Sequence, residues 1–427
     1  MCKHRIINHN ISFYKKQKMK ILTVFFILCI LILGCSIPES NIVEKSTVSP
    51  NPTPKSINTP KPINTPRPIS TPKSISTPKP ISTPRPDTLN PTTLGITVNP
   101  TAVAFSKPPE EMTPNEISNL YLDMQNNANL AASIGLKSLA LGVSWDEMEP
   151  QPLVYNFSSL QDTIERSNQS SRSIELFNFR VIDTTRSTLP ADIANQKMDS
   201  AEVKQRAKYI VQAIVPIIQE GNVKRFAFGN EINIFLMQNQ EQAMDFAWLF
   251  YETKQEFNRL LPNIPFGMSV TYEGIKYPDI QEAFGWIIQL GDFVAFTYYP
   301  LDEYFKVRSP ITATNDIRDM RRIATDYGFS EAILQEIGYP TSSKNNSSQI
   351  KQKEFYYQVL KEIKNNQDFF PFACFFMMCD YPEWFVENFK EYYGINDEAF
   401  LSFLQTTGTI DGNGNAKESW IWLDLNL

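Results

Sequence analysis

From Leu94 to the C-terminus, short apolar runs alternate with longer amphipathic stretches, and the alternation occurs eight times. The apolar runs are GITVNPTAVAF (Gly95–Phe105), LKSLALGVSW (Leu136–Trp145), SIELFNFRVI (Ser173–Ile182), VKRFAFGNE (Val223–Glu231), PFGMSVTY (Pro265–Tyr272), DFVAFTYY (Asp292–Tyr299), EAILQEIGY (Glu331–Tyr339) and PFACFFMMCD (Pro371–Asp380). Helical spacing of apolar residues marks Pro114–Ile134, Ser158–Ser167, Ser200–Glu220, Glu241–Leu261, Pro278–Leu290, Ala313–Tyr327 and Ser348–Asn366. A last helix is expected near Asp397 to Gln405, after the eighth run. Parallel strands need a crossover between them, and a helix supplies it. Eight βα units in about 330 residues are what a (β/α)8 TIM barrel, an α/β fold, requires. The alternative is a doubly wound sheet, but no glycine-rich phosphate loop follows the first run.

The N-terminal part is different in kind. Lys15, Lys16, Lys18 and Lys20 precede the apolar run ILTVFFILCILILG, Ile21 to Gly34. That run is about 14 residues, short of the ~20 a membrane-spanning helix needs, and reads as an export signal. Its end, ILGC, resembles the lipobox of bacterial lipoproteins, which implies lipidation at Cys35; Met19 is the better start codon for such a signal. From Ile57 to Pro86 a hexapeptide repeats five times, as INTPKP, INTPRP, ISTPKS, ISTPKP and ISTPRP. Proline at this density blocks helix and sheet and favours an extended, disordered polyproline II stalk. Thirty such residues reach on the order of 90 Å. The expected organisation is a signal with lipobox over residues 1–35, a Pro/Thr/Ser-rich linker over 36–93 and one barrel domain over 94–427. The implied location is outward-facing on a bacterial cell or outer membrane.

Charge and residue usage exclude several chemistries. Residues 1–86 hold 13 Lys/Arg against two acids, so the remainder is strongly acidic within an overall charge of −6. An acidic body disfavours nucleic acid, whose binding rests on neutralising phosphates. Both histidines, His4 and His9, precede Cys35, so a chain processed there has none. Ser-His-Asp and Cys-His catalysis and imidazole zinc sites are thereby removed. No cofactor or metal is expected, and a monomer is. Cys374 and Cys379, five apart in one run, would face opposite sides of a strand and read as core residues.

Chemistry in a barrel sits where strands end at their C-terminal edge. Two glutamates stand there: Glu231, closing the fourth run, and Glu336, closing the seventh. Alternation along FAFGNE turns Phe226 and Phe228 to the helices and Ala227, Gly229 and Glu231 to the barrel axis. In EAILQE, Ala332, Leu334 and Glu336 share one face, expected to be the inward one. Two carboxyls converging across a barrel mouth suit a retaining glycosidase, in which one protonates the leaving oxygen and the other attacks the anomeric carbon at a separation of about 5–5.5 Å.

GNE in the fourth strand and QEIGYP in the seventh resemble glycoside hydrolase clan A, the "4/7" barrels. SWDEMEPQPLVYNFSSL (Ser144–Leu160) resembles a segment many of its members carry after strand two. AFTYYP (Ala295–Pro300) resembles the strand-six Tyr-Tyr-Pro of endo-β-1,4-galactanases, and TGTIDGNGNAKESW (Thr407–Trp420) a closing stretch of such barrels. Together these cover about Gly95 to Trp420, and their order is specific for the clan rather than for one family. The resemblance implies that Glu231, with Asn230 before it, is the acid/base and Glu336 the nucleophile. It also implies that Tyr299 hydrogen-bonds the nucleophile, with Tyr298 the choice if the parity is one residue out.

Further expected sugar contacts are Asn178 and Arg180, which share a face of the third strand, and Trp145, whose ring suits stacking on a sugar. Arg180 is also placed to keep a neighbouring carboxylate ionised. The eighth strand departs from the clan, which usually sets a Trp there; this chain has FFMMCDYPEW, so Trp384 or Asp380 is expected to fill the place. The function expected is hydrolysis of poly- or oligosaccharides by double displacement. The alternatives are a carbohydrate-binding or adhesion lipoprotein on a degenerate barrel, and an envelope-glycan transglycosylase.

Overall fold

The computed structural model describes residues 91–427; the expected signal, Cys35 and the proline repeat lie outside the described residues. Eight parallel strands form the centre: β1 (Thr93–Ile96), β2 (Ser138–Ser144), β3 (Ser173–Asp183), β4 (Phe226–Asn230), β5 (Phe266–Thr271), β6 (Val294–Tyr298), β7 (Ala332–Ile337) and β8 (Phe372–Phe375). Each pairs with the next in sequence, and β1 pairs with both β2 and β8, which closes the sheet. The fold is a (β/α)8 TIM barrel, as the eightfold alternation implies. A two-residue antiparallel strand, Arg186–Ser187, folds back on the end of β3.

The expected helices form with small shifts at their ends: Pro114–Ser133, Ser158–Gln169, Ala201–Glu220, Ala243–Leu260, Pro278–Ile288, Thr312–Asp326, Gln349–Asn365 and Glu398–Thr406. The first is fixed by a capping box, in which the Thr113 hydroxyl accepts from the Glu116 amide and the Glu116 carboxylate accepts from the Thr113 amide. Additional helices at Ile232–Gln238, Glu383–Tyr393 and Glu418–Asn426 were not expected from the spacing.

The first and last apolar runs are mostly not strand. Asn99 explains why both end early: its side-chain amide donates to the Cys379 carbonyl (2.8 Å) and accepts from the Cys379 N–H (2.9 Å). A side chain thus takes over the pairing that a further backbone ladder residue would have made, and Pro100 has no N–H to continue it. Cys379 consequently lies beyond β8, in the helix-facing core, while Cys374 points into the barrel; both are buried and free.

Two apolar layers hold the strands. Ala140, Leu176, Ala227, Ala295, Ile333 and Cys374 lie inside the barrel with Phe293 and Phe372. Outside, Phe226 stacks on Phe266 (centroids 5.2 Å) and meets Phe257 (4.6 Å) from the helix Ala243–Leu260. Burying each such ring stabilises by roughly 1.5–3 kcal/mol. This aromatic layer packs β4 against its neighbours, and Glu231 follows directly on the strand's C-terminal end.

Candidate active site

The chain leaves β4 through Gly229, Asn230 and Glu231, and local sterics dictate the residue types. Gly229 has φ +96°, and a Cβ there would lie 2.6 Å from Ile232 Cγ2. Glu231 itself has φ 48° and ψ 38°, a left-handed conformation costing a non-glycine residue on the order of 1–3 kcal/mol. That turn starts the helix Ile232–Gln238, which is tied to β5 by Asn233: its amide donates to Thr271 Oγ1 (3.0 Å) and accepts from the Thr271 N–H (2.9 Å). The strained residue is therefore held from both sides.

Glu231 is fully buried. Its Oε1 accepts from Thr297 Oγ1 on β6 (2.5 Å) and its Oε2 from Thr184 Oγ1 after β3 (2.8 Å). Burial first, then the neighbouring Glu336 carboxylate, push its carboxyl well above the ordinary glutamate range; Asp183 adds to the rise, and the two threonine hydroxyls oppose it. Glu336, 5% exposed, accepts from Tyr299 Oη (2.8 Å) and from Gln335 Nε2 (3.2 Å). Thr297 stands opposite Glu336 in the β6–β7 register while bonding Glu231, so one strand end bridges the two acids.

Glu336 reaches the mouth by a route other than simple alternation. Ala332 and Leu334 pack outward in the helix-facing layer and Ile333 packs inward, the reverse of the expected parity. An irregularity then intervenes, because Phe296 pairs with Leu334 but Thr297 with Glu336. The bulge skips Gln335 and returns Glu336 to the mouth. Gln335 also turns into the site, where its Nε2 donates to Asn230 Oδ1 (2.8 Å).

A polar network underlies the pair. Asn178 Nδ2 donates to Asn230 Oδ1 (3.2 Å) and to Gln335 Oε1 (3.3 Å), while Asn178 Oδ1 is buried with no protein partner. Arg180 shares the Asn178 face and lies 3.7 Å from Asp183; Gly142 on β2 makes room for it, since a Cβ there would sit 2.6 Å from the Arg180 Nε. Asp183 and Thr184 are absent from the sequence reading. Asp183 Oδ1 accepts from Asn230 Nδ2 (3.2 Å), and burial raises its carboxyl against the pull of Arg180, Tyr392, Arg186 and Asn230. Thr184, with φ 50°, places its hydroxyl on Glu231.

Other expected sugar contacts are committed elsewhere. Tyr298 points to the helix layer and donates to Asp316 Oδ2 (2.7 Å), so the parity that favours Tyr299 holds. Trp145 is fully buried, its indole N–H on Glu149 Oε2 (2.7 Å). Trp384 packs on Phe105 (centroids 4.8 Å) and donates to the Phe105 carbonyl (2.8 Å), in the loop after β1. Asp380 pairs with Lys417 Nζ at 2.7 Å, and burial lifts its carboxyl to about 6. Lys417 also donates to Thr341 Oγ1 (3.0 Å) and the Thr406 carbonyl (3.1 Å). Removing one partner of a buried pair strands the other charge. Lys417→Met should accordingly lower stability by about 3–5 kcal/mol, read from urea denaturation, and an unchanged midpoint would show that the pair is dispensable.

Among the described residues, no group of three or more His, Cys, Asp or Glu is placed to hold a metal ion. The two carboxyls are placed so that one can transfer a proton, at Glu231, and the other present an oxygen nucleophile, at Glu336.

No protein-family model and no curated protein matches the chain in sequence. Solved structures do match in fold. One is an exo-beta-1,4-mannosidase from Opitutaceae bacterium strain TAV5, at 14% identity and TM-score 0.57, covering 78% of this chain and 59% of that one. The chain thus spans less than two thirds of the length of that neighbour. A GH5_18 protein from Streptomyces cattleya, in complex with Manb1-4GlcNAc, matches at 11% identity and TM-score 0.58 over 78% of this chain and 79% of that one. A family 39 glycoside hydrolase from the gut symbiont Bacteroides cellulosilyticus WH2 matches at 11% identity and TM-score 0.52, covering 78% of this chain and 63% of that one. At these identities the likeness is one of fold.

Proposed function

We propose that this chain is a glycoside hydrolase that cleaves β-glycosidic bonds with retention, Glu231 acting as acid/base and Glu336 as nucleophile. The observation that carries this reading is the pair of buried carboxyls at the ends of β4 and β7, one of them pushed up so that it keeps its proton. Retaining chemistry needs that asymmetry. Glu231 protonates the departing oxygen while Glu336 attacks the anomeric carbon, and the Glu231 carboxylate then draws a proton from the water that releases the sugar. Tyr299 holds the attacking oxygen of Glu336 in place. Asn178 Oδ1, buried without a partner, is suited to accept from a sugar hydroxyl.

The neighbours' names support a sugar substrate, and one neighbour's Manb1-4GlcNAc ligand makes aryl β-mannosides the first substrates to try, followed by β-glucosides, β-galactosides, mannan and β-1,4-galactan. Proton NMR of the first-formed anomer tests the stereochemistry. Retention is expected, and inversion would remove Glu336 from its role.

Tethering through a lipid at Cys35 belongs to the same proposal, resting on the ILGC motif. Cys35→Ser should move most of the protein from the membrane to the soluble fraction, or leave the precursor uncut. Unchanged fractionation and processing would end that assignment.

A further inference from the structure

The segment after β8 does more than return the chain to the outer helices. Its helix Glu383–Tyr393 starts beside the loop after β1, where Trp384 Nε1 donates to the Phe105 carbonyl (2.8 Å). It ends at β3, where Tyr392 Oη donates to Asp183 Oδ2 (2.9 Å) and accepts from Arg186 Nε (3.0 Å), the Arg186 guanidinium lying 4.9 Å from the Tyr392 ring centre. The following helix, Glu398–Thr406, runs back to the other side. Phe403 meets Tyr299 at the end of β6 (5.4 Å), Phe400 meets Phe305 in the loop after β6 (5.0 Å), and Asn345 in the loop after β7 donates to the Ala399 carbonyl (2.7 Å).

This helical hairpin grows from β8 and is anchored at the ends of, or loops after, β1, β3, β6 and β7. Its own apolar core joins it to the mouth: Phe376, Met377, Phe389, Phe400 and Phe403 cluster with Tyr299, the residue that bonds Glu336. The contacts on the β6–β8 side combine ring packing with the Asn345 hydrogen bond, whereas those on the β3 side are hydrogen bonds and an ion–ring contact. The two acids beneath are 0% and 5% exposed.

The geometry points to an exo-acting enzyme that takes the non-reducing end of a β-linked saccharide, the hairpin Glu383–Thr406 blocking the path an internal chain segment would follow. This rests on the glycosidase reading above and narrows its substrate class. Cleavage inside a polysaccharide needs sugar units bound on both sides of the scissile bond, so the groove must be open at two ends. A hairpin fixed at four barrel loops besides its own root closes one of them. A single terminal sugar needs only a blind pocket.

The test uses the full-length protein and β-1,4-linked mannohexaose labelled at its reducing end, beside soluble galactomannan. The expected result is stepwise release of monosaccharide, with shortened labelled products one unit apart and no early fall in galactomannan viscosity. Methylating the terminal 4-hydroxyl of the hexaose should abolish its cleavage. If the hexaose resists, the same comparison is made with cello- and galacto-oligosaccharides and their 4-O-methylated forms. Cleavage of a capped oligosaccharide, or a viscosity drop before appreciable monosaccharide release, overturns the exo assignment and leaves the glycosidase reading standing. Absence of cleavage of every oligosaccharide and aryl β-glycoside overturns both.

Discussion

Replacing Glu336 with alanine should reduce turnover of a natural β-glycoside by several orders of magnitude, and added azide should restore it with a product of inverted anomeric configuration. The carboxylate removed is the one that Tyr299 holds at 2.8 Å and Gln335 at 3.2 Å. In the double displacement it forms the bond to the sugar, so no water-mediated route of comparable rate remains. A small anion can enter the space left by the side chain and attack from the same face, but no second displacement follows. One inversion is then the net outcome. NMR of the glycosyl azide gives the configuration. Wild-type turnover in this variant would refute the nucleophile assignment.

Glu231→Ala should give a different pattern. Loss of a general acid costs about 10²–10⁴ in rate, and the loss depends on how much help the leaving group needs. Natural sugars should suffer most, and 2,4-dinitrophenyl glycosides little in their first step. Azide should here yield a product of retained configuration, because Glu336 still forms the covalent intermediate. The pH dependence adds a second readout. The carboxyl is pushed up by burial and by Glu336 and Asp183, so Glu231 stays protonated above the ordinary glutamate pKa of about 4.3. Activity should therefore fall as pH rises through the raised value, and that alkaline limb should vanish in Glu231→Ala assayed on activated substrates. The swapped azide pattern would mean that the two roles are reversed.

Much of the barrel was legible because its signal is redundant. Eight alternations fix the fold even when individual ends are misjudged, as they were at β1 and β8, where the Asn99 amide rather than apolar character ends the pairing. Parity along β4 was readable as far as Phe228; beyond it Gly229, at φ +96°, faces Phe246 in the helix layer instead of the barrel axis, and both Asn230 and Glu231 turn into the site. Along β7 it was not, since the bulge at Gln335 reverses the phase, and Glu336 reached the mouth for a reason alternation does not contain. Asp183 and Thr184 left no periodic trace: they lie at the very end of β3 and in the turn after it, and their partners are 47 residues away in sequence. The aromatic and acidic residues expected to meet sugar failed for a common reason. Trp145, Tyr298 and Asp380 each have one polar group, and each spends it on a buried partner that composition cannot reveal.

The bond between Lys417 and Asp380 also sets an order of events in biosynthesis. Synthesis proceeds from the N-terminus, so β8 and the Asp380 carboxyl leave the ribosome well before the ammonium group that neutralises it. Until then Asp380 favours water over the interior, and the segment after β8 has reason to stay open. The eight strands and the hairpin's other contacts can form earlier, but the Asp380 carboxyl at the root of the hairpin is neutralised only when Lys417 arrives. Under the export proposed above, that delay keeps the Lys417–Asp380 lock absent while most of the chain crosses a membrane.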